Sequence, residues 1–438
     1  LMTVVTRWLV ASLAFALLSP ISRGQEAAGW SLLDASPWNF YRFEDGSFVS
    51  PERGWIVNGD GEVFQTADGG QAWSRQAVLP AYLRSVAFVN DSRGFIGTLT
   101  QPNMLYETRD AGRSYQDISD RIEGPRPWGI CGLWAVNDDV IYGAGWFAAP
   151  AHIVKSTDGG QTWTSTSMDA YAGSLIDVYF WDEQRGIAVG GTNGLEPDGR
   201  ALVLLTEDGG ETWTTQYVSA DPGEWSWKIS FPTPTTGYVS VEELDGGFPA
   251  KVLKTTDAGV TWTELSIPNS DHLQAIGFIT EDTGWASGRG TTSLTTDGGE
   301  TWTPIDLDGS INRFEFFGDS LAYAMGRRIY QYAAPPATSI DEGETPRAAL
   351  ALQPAFPNPS TGGVTIPYSL DEPAAFEVVV YDLTGRRVAV VAKGERSVGA
   401  HEAYWDGRDA RGDRVAPGGY VVALTANGRR ISSALLRM

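Results

Sequence analysis

An eight-residue motif that occurs six times constrains the fold of this chain more than any other feature. Its pattern is Ser/Thr-x-Asp-x-Gly-x-x-Trp, with Tyr115 the only departure at the last position. The aspartates of the six copies lie 42, 48, 50, 49 and 40 residues apart, at Asp68, Asp110, Asp158, Asp208, Asp257 and Asp297. A repeat of this length indicates a β-propeller or a solenoid with one structural unit per copy.

Each copy has the chemistry of a tight turn between two strands. An aspartate carboxylate accepts hydrogen bonds from nearby backbone amides, and the glycine two residues later adopts the positive φ that other residues resist. An extended segment such as Val203-Leu204-Leu205 precedes the motif, and the tryptophan then offers a large ring for burial. Because the six aspartates are equivalent by repetition, we expect a structural role for them and no catalytic one.

The residues between the motifs complete a four-stranded unit. Upstream of most copies, a strand ends in an aromatic residue, as in Val86-Ala87-Phe88, and a second strand opens with glycine and an apolar residue, as in Gly94-Phe95. After Trp302 three more strands follow without a motif, and Gly29-Trp30-Ser31-Leu32-Leu33 looks like a lone fourth strand. The sequence therefore predicts an all-β, seven-bladed β-propeller whose last blade is closed by the N-terminal strand.

The repeated motif resembles the Asp box, or BNR repeat, of several propeller families. These are sialidases, sortilin-type receptors, xyloglucan-active glycosidases and photosystem II assembly-factor propellers. The resemblance implies the propeller fold and leaves the chemistry open, because these families share the box and differ in function. The assembly factors are nearest in size and box density, although a photosystem role does not fit an exported chain.

Export is predicted from the N-terminus and fits the composition. Arg7 precedes the apolar run 8–18, and small residues follow at Ser22 and Gly24, which predicts a signal peptide over residues 1–24 and no transmembrane anchor after its cleavage. With 32 basic and 54 acidic residues the formal charge is −22, so nucleic acid is not a predicted partner. The single cysteine, Cys131, excludes an internal disulfide and is expected to be a buried, inert thiol.

A second domain is predicted after the propeller. The propeller spans 25–333, a linker rich in proline and charge spans 334–350, and short strands over 351–438 predict a small Ig-like β-sandwich. Three segments of this domain, Phe356-Pro357-Asn358-Pro359, Trp405-Asp406-Gly407-Arg408-Asp409 and Pro417-Gly418-Gly419-Tyr420, resemble the type IX secretion C-terminal sorting domain, a relative of the FlgD Ig-like fold. The resemblance implies the type IX machinery as a partner and a secreted or outer-membrane-surface location. The alternative is an Ig-like domain without a sorting role.

No catalytic, metal or cofactor site is predicted. The three histidines His152, His272 and His401 are widely spaced, and no zinc or phosphate-binding motif occurs. Sialidase-like chemistry would need three converging arginines, and the candidates are Arg42, Arg84, Arg289 and Arg313. We therefore expect an exported ligand-binding or scaffold protein, with a secreted, sialidase-like glycoside hydrolase as the alternative.

The predicted ligand-binding residues are aromatic and lie on the face opposite the repeated turns. They are Trp128, Trp146, Phe147, Trp225 and Trp227. Trp146 and Phe147 are favoured, because Ala148-Ala149-Pro150 follows them and proline marks a true loop. Trp128, Trp225 and Trp227 have an alternative role as fillers between blades. The ligand is expected to be a glycan or a protein.

Overall fold

A computed structural model describes residues 29–334 and 350–437, apart from short gaps. The gaps are 195–196, 244–249, 269–271, 308–309, 353–354, 356–359, 361–362, 371–372, 383–384, 398 and 428. The predicted signal peptide and residues 335–349 of the predicted linker therefore lie outside the described residues, as does Phe356-Pro357-Asn358-Pro359. The chain divides into two compact units, one ending at residue 335 and one beginning at residue 336.

The first unit contains seven β-sheets, and all their strand pairs are antiparallel except one in the third sheet. Its first strand, β1 (Trp30–Leu32), belongs to the last sheet. The first three sheets comprise β2–β5 (Phe43–Phe48, Gly54–Asn58, Glu62–Thr66, Ser74–Val78), β6–β9 (Leu83–Phe88, Gly94–Thr98, Leu105–Thr108, Gln116–Asp117) and β11–β14 (Gly132–Ala135, Ile141–Gly145, His152–Ser156, Trp163–Ser167). A 3-10 helix, Ser119–Arg121, precedes the short strand β10 (Ile122–Glu123), which pairs parallel with β14 and extends the third sheet.

The remaining sheets repeat the same order. They comprise β15–β18 (Ser174–Phe180, Gly186–Gly191, Ala201–Thr206, Thr214–Val218), β19–β22 (Glu224–Ser230, Gly237–Glu243, Ala250–Thr255, Thr263–Ile267), β23–β26 (Ala275–Phe278, Gly284–Gly288, Thr291–Thr295, Thr303–Ile305) and β27–β29 (Arg313–Phe317, Leu321–Met325, Ile329–Ala333). We number these sheets as blades one to seven. The first strand of each blade contacts the first strand of the next, and β27 contacts β2, so the blades close into a ring.

The N-terminal strand closes the ring as the sequence predicts. Strand β1 pairs antiparallel with β29, with Trp30 opposite Tyr332, and becomes the outer strand of blade seven. The Trp30 ring lies 5.2 Å from that of Trp285 and 5.8 Å from that of Phe314, centroid to centroid. Strand β1 therefore supplies the fourth strand of blade seven, and the N-terminal and C-terminal ends of the propeller are joined in one sheet. The seven-bladed prediction is confirmed.

The glycine–aromatic repeat of the sequence holds neighbouring blades together. The second-strand aromatic of one blade stacks on the first-strand phenylalanine of the next, as in Tyr142 on Phe180 at 3.6 Å between ring centroids. Trp55 with Phe88 and Tyr238 with Phe278 repeat this contact. The glycine is required because a Cβ on Gly186 would lie 2.4 Å from the Phe180 ring.

The Asp boxes are turns between the third and fourth strands of blades one to six. In the box of blade three, Asp158 accepts hydrogen bonds from the Ser156 hydroxyl at 2.9 Å and from the Thr162 backbone amide at 2.9 Å. The Ser156 hydroxyl in turn accepts the Gly160 amide at 2.7 Å. Each box aspartate thus accepts hydrogen bonds from donors of its own turn, which fits the structural role expected from the repeat.

The box turn needs two consecutive residues with positive φ, one more than the sequence analysis anticipated. In most copies both are glycine, as at Gly209 and Gly210, with φ of 72° and 89°. Alanine occupies the first of these positions in two copies, at Ala111 (φ 63°) and Ala258 (φ 58°). A side chain in the left-handed region costs about 1 kcal/mol, so these two turns are locally strained.

The second unit is a β-sandwich. One sheet contains β30 (Ala351–Leu352), β31 (Val364–Leu370) and β34 (Gly399–Trp405), and the other contains β33 (Arg387–Arg396), β32 (Ala374–Asp382), β35 (Gly418–Ala426) and β36 (Arg429–Arg437). Apolar side chains of both sheets, including Ile366, Val380 and Trp405, form its core. This arrangement agrees with the predicted Ig-like domain.

Candidate functional site

The direction of the strands gives the propeller two distinct faces. The first-to-second turns of all seven blades and the third-to-fourth turns of blades one to six lie on one face, which carries the Asp boxes and is called here the box face. The second-to-third connections and the connections between blades lie on the opposite face, called here the loop face. Loops on a rigid scaffold are where binding residues concentrate, so the loop face is the candidate functional surface.

Three of the predicted ligand-binding residues come together on the loop face. Trp146 and Phe147 lie in the second-to-third connection of blade three, with ring centroids 4.6 Å apart. The ring of Trp128, from the connection between blades two and three, lies 6.2 Å from that of Trp146. Trp128 is 45% exposed, whereas Trp146 and Phe147 are half-buried. We call these three residues the blade-three cluster.

Backbone contacts fix the blade-three cluster next to the central channel. The Trp146 carbonyl accepts the Leu175 amide at 3.0 Å, which ties the loop to the first strand of blade four. A Cβ on Gly145 would lie 2.1 Å from the Gly129 carbonyl oxygen, so the two loops pack closely because Gly145 has no side chain. The Phe147 backbone N–H hydrogen-bonds the buried Cys131 thiol. Burial raises the pKa of Cys131 to about 11, which keeps the thiol protonated.

The other two predicted residues pack inside the propeller. Trp225 has no exposed surface, and its ring lies against Gly191 at the edge of blade four. Trp227 is 8% exposed, and the guanidinium carbon of Arg84 lies 5.7 Å from its ring centroid. Trp225 therefore has the blade-filling role that the sequence left as the alternative, and Trp227 lines the channel.

The sequence analysis missed the most exposed aromatic group among the described residues of the propeller. Trp38, Phe40 and Tyr41 lie in the connection between β1 and blade one, and they are 57%, 65% and 58% exposed. The Phe40 ring centroid lies 6.1 Å from that of Trp38 and 5.1 Å from that of Tyr41, edge to face. We call them the blade-one cluster. Three aromatic residues within four positions, just before the first inner strand, were the signal in the sequence.

A network around Asn39 holds the backbone of the blade-one cluster. The Asn39 side-chain oxygen accepts the amides of Tyr41 at 2.9 Å and Arg42 at 3.0 Å, and its NH₂ group donates to Asp60 at 2.9 Å. The Asn39 amide donates to the Arg327 carbonyl at 3.0 Å. The three rings are therefore displayed on a fixed backbone, which lowers the entropic cost of binding.

Between the two clusters, the first strands line a channel with buried charges. Arg313 ion-pairs with Asp45 and Asp177 at 3.4 Å each and with Glu315 at 3.1 Å. Although burial opposes the charge, these carboxylates raise the pKa of Arg313. Burial also raises the pKa of Glu315.

A second buried carboxylate, Glu44, lies where blades one and two meet. It lies 3.4 Å from Arg42 Nε and 3.5 Å from Arg84, and it accepts a hydrogen bond from the Tyr82 hydroxyl at 2.7 Å. Burial alone would raise the pKa of Glu44, but the two arginines outweigh it and the pKa is lowered. Arg42 also hydrogen-bonds Gln274 of blade six.

The candidate arginines do not form an open triad for a substrate carboxylate. Arg42 and Arg84 share Glu44, Arg313 is held by its three carboxylates, and Arg289 is exposed in a hairpin turn. Within the described ranges, no group of three or more His, Cys, Asp or Glu side chains is placed to hold a metal ion. No helix of the described chain is long and apolar enough to span a bilayer.

This fold and its domains match two family models. Residues 25–130 match the model described as "Photosynthesis system II assembly factor YCF48", and residues 357–429 match the FlgD Ig-like domain. The chain thus combines a Ycf48-like BNR propeller with a FlgD Ig-like domain.

The particular relatives agree with this class of propeller. The Photosystem II assembly lipoprotein Ycf48 of Synechococcus sp. (strain CC9902) is 24% identical over 318 residues, covering 67% of this chain and 87% of that protein. The structure "YCF48 bound to D1 peptide" has a TM-score of 0.53 at 19% identity and covers 71% of this chain and 99% of its own.

Two other solved structures share the fold. YCF48 from Cyanidioschyzon merolae has a TM-score of 0.54 at 19% identity, with coverage of 70% of this chain and 99% of its own. An ancestral GH74 enzyme has a TM-score of 0.52 at 15% identity and covers 92% of this chain and 60% of its own. At these identities the structural likeness shows the fold alone.

Proposed function

We propose that this protein is a scaffold, similar in role to an assembly factor, whose loop face binds an extended segment of a partner protein. The observation that carries the proposal is the pair of aromatic clusters, at blade one and blade three, on the same face of the ring. Exposed aromatic rings on a rigid backbone are the usual anchors of protein interfaces. A Ycf48-like relative bound to a peptide supports a polypeptide ligand.

Both aromatic clusters adjoin the first strands of their blades, and this position favours an elongated ligand. The connection that carries the blade-one cluster leads directly into β2, and Phe147 of the blade-three cluster touches Cys131 next to the first strand of blade three. A chain that lies across the loop face would also meet polar groups, including Arg42, Gln274 and Tyr82. Such polar groups can pair with the amides and carbonyls of an extended backbone.

We also propose that the protein is exported and that its FlgD Ig-like domain serves as a type IX sorting domain. The support comes from the apolar N-terminal run 8–18 and from segments such as Trp405-Asp406-Gly407-Arg408-Asp409 and Pro417-Gly418-Gly419-Tyr420. The partner would then be another exported or surface protein.

A pair of parallel screens tests the class of ligand. The full chain is presented to a random-peptide display library and to a glycan array. The peptides that bind are then tested for binding to the Trp38→Ala and Trp146→Ala variants. We expect peptide ligands that lose binding in both variants. Tyr404→Ala is the matched control, because Tyr404 lies in the Ig-like unit and is 65% exposed, as Phe40 is. Selective glycan ligands, or peptides that all variants bind equally, would overturn the proposal.

A further inference from the structure

The blade-one cluster presents open aromatic ring faces on the loop face. The rings of Trp38 and Tyr41 stand at 83° and 88° to the ring of Phe40, edge to face. Within the described part of the chain, Trp38 and Tyr41 make no ring contact with each other. An edge-to-face pair covers at most one ring face, so most faces of the three rings stay open. All three residues are more than half exposed, which agrees with this geometry.

Open ring faces attract cations, and elsewhere in the propeller such faces are already taken. The face of an aromatic ring is negative and binds an ammonium or guanidinium group, most strongly in tryptophan. The guanidinium carbon of Arg185 lies 5.0 Å from the Trp181 ring centroid, and that of Arg84 lies 5.7 Å from the Trp227 ring centroid. Among the described residues, no cation lies over a ring of the blade-one cluster. Its ring faces are therefore left for a cation from outside.

A carboxylate next to the blade-one cluster adds to this attraction. Asp60, in the second-to-third turn of blade one, accepts a hydrogen bond from the side-chain NH₂ of Asn39 at 2.9 Å. It is exposed and forms no ion pair within the described ranges. The neighbouring Arg42 lies 3.4 Å from Glu44, which offsets its charge. The formal charge of −22 draws cationic partners to the whole molecule.

We propose that the blade-one cluster binds a lysine or arginine side chain of the partner segment. The cation lies against the ring faces of the cluster, and Asp60 supplies the opposite charge. The charge complementarity favours this occupant over a purely apolar anchor, which would leave Asp60 without a partner. The inference rests on the proposed binding of a polypeptide at the loop face, and it specifies the chemistry of that polypeptide.

A double-mutant cycle on peptides selected by display tests the proposal. We expect every peptide that requires Trp38 to carry a lysine or an arginine. In synthetic copies, norleucine in place of lysine, or citrulline in place of arginine, keeps the side-chain stem and removes the charge. This change should raise the Kd for the full chain by about 2- to 30-fold. It should have little effect on binding to Trp38→Leu, because leucine keeps an apolar surface but has no ring face.

The carboxylate has a matched pair of variants. Asp60→Asn keeps the acceptor for Asn39 and removes the charge, so it should weaken binding of the cationic peptides and reduce the salt dependence of the Kd. Asp198→Asn is the control, because Asp198 is an exposed carboxylate in the corresponding turn of blade four and accepts the Asn193 NH₂ group at 3.1 Å. The Tm of each variant separates a loss of binding from a loss of folding.

A small cation separates this inference from the proposed function. Tetramethylammonium is titrated into the full chain with ¹⁵N-labelled tryptophan, and the indole signal of Trp38 is assigned by its loss in Trp38→Phe. This signal should shift with tetramethylammonium and stay in place with neutral tert-butanol.

The outcomes point to different conclusions. Peptides that require Trp38 but bind equally well with norleucine or citrulline would overturn this inference and leave the proposed function standing. A shift with tetramethylammonium but no peptide ligand would support the cation site and contradict the proposed function. A Trp38 signal that does not respond to tetramethylammonium would contradict the cation site itself.

Discussion

At the scale of single residues, hydrogen bonds within the box turns favour the ionised form of the box aspartates. The Thr301 side chain and backbone amide and the Thr295 hydroxyl donate to Asp297, and they lower its pKa to about 2. The pKa values of Asp110 and Asp208 are lowered by equivalent bonds, first of all from Ser114 and Thr212. A folded-state pKa below the unfolded value contributes stability that is full above the unfolded pKa and is lost as pH falls through the folded one.

We predict that the box turns make the propeller acid-sensitive in a defined window. For Asp297 the stabilisation should decline as pH falls below about 4 and be lost as pH falls through about 2. Asp297→Asn keeps the hydrogen-bond acceptor and removes the titration, so its Tm should fall less steeply over this window. Melting curves against pH measure this. Glu300→Gln, which removes an exposed carboxylate of the same turn, is the control. Identical slopes for Asp297→Asn and wild type would contradict the account.

Residue types alone predicted the box turns but not the burial of individual aromatic residues. The Ser/Thr, Asp and Gly positions of the motif follow from the chemistry of one turn. The additional positive-φ position, just before the motif glycine, was hidden because alanine occupies it in two copies, at Ala111 and Ala258, and glycine in the others. Trp128 and Trp225 were both predicted ligand-binding residues, but Trp128 is 45% exposed and Trp225 is buried. That difference depends on how neighbouring blades meet.

At the scale of elements, three of the six boxes also accept a hydrogen bond from a tyrosine of the previous blade. The Tyr142 hydroxyl of blade three donates to the carbonyls of Glu183 at 2.9 Å and Gly209 at 3.1 Å in blade four. Tyr238 and Tyr323 make the same pair of contacts with blades six and one. The repeat therefore specifies the junction between blades as well as the blade.

We predict that Tyr142→Phe weakens this junction without disturbing the ring stack. Loss of the hydroxyl should cost about 1 to 2 kcal/mol, because the stacking on Phe180 remains and the hydrogen bonds do not. Denaturant unfolding measures the change. Tyr179→Phe is the control, since no hydrogen bond of the Tyr179 hydroxyl is seen among the described residues. A loss of stability as large in the control would show that the hydrogen bonds are unimportant.

The elements were more predictable than the surface between them. Strand alternation and the repeated turns predicted the four-stranded blades and the clasp by β1. The blade-one cluster escaped notice because Trp38, Phe40 and Tyr41 belong to a connection outside the repeat. Their exposure results from a backbone held by Asn39 and its partners, among them Asp60 and the Arg327 carbonyl. A periodic sequence pattern does not predict such long-range contacts.

At the scale of the whole molecule, the C-terminal unit has its own core and should be separable from the propeller. Deletion of residues 351–438 should leave the thermal unfolding of the propeller intact, because a domain folds around its own core. In a host with type IX secretion, the truncated chain should accumulate in the periplasm. Cell fractionation measures this, with the full-length chain as control. Normal surface display or release of the truncated chain would refute the sorting proposal.

The central claim is that the loop face binds a polypeptide through its two aromatic clusters. Its most direct test is the Kd of a peptide selected by display, measured by calorimetry for wild type, Trp38→Ala, Trp146→Ala and Tyr404→Ala. We predict that both loop-face variants raise the Kd by about 5- to 150-fold with little change in Tm, and that Tyr404→Ala binds as wild type does. Unchanged binding in both loop-face variants would contradict the claim.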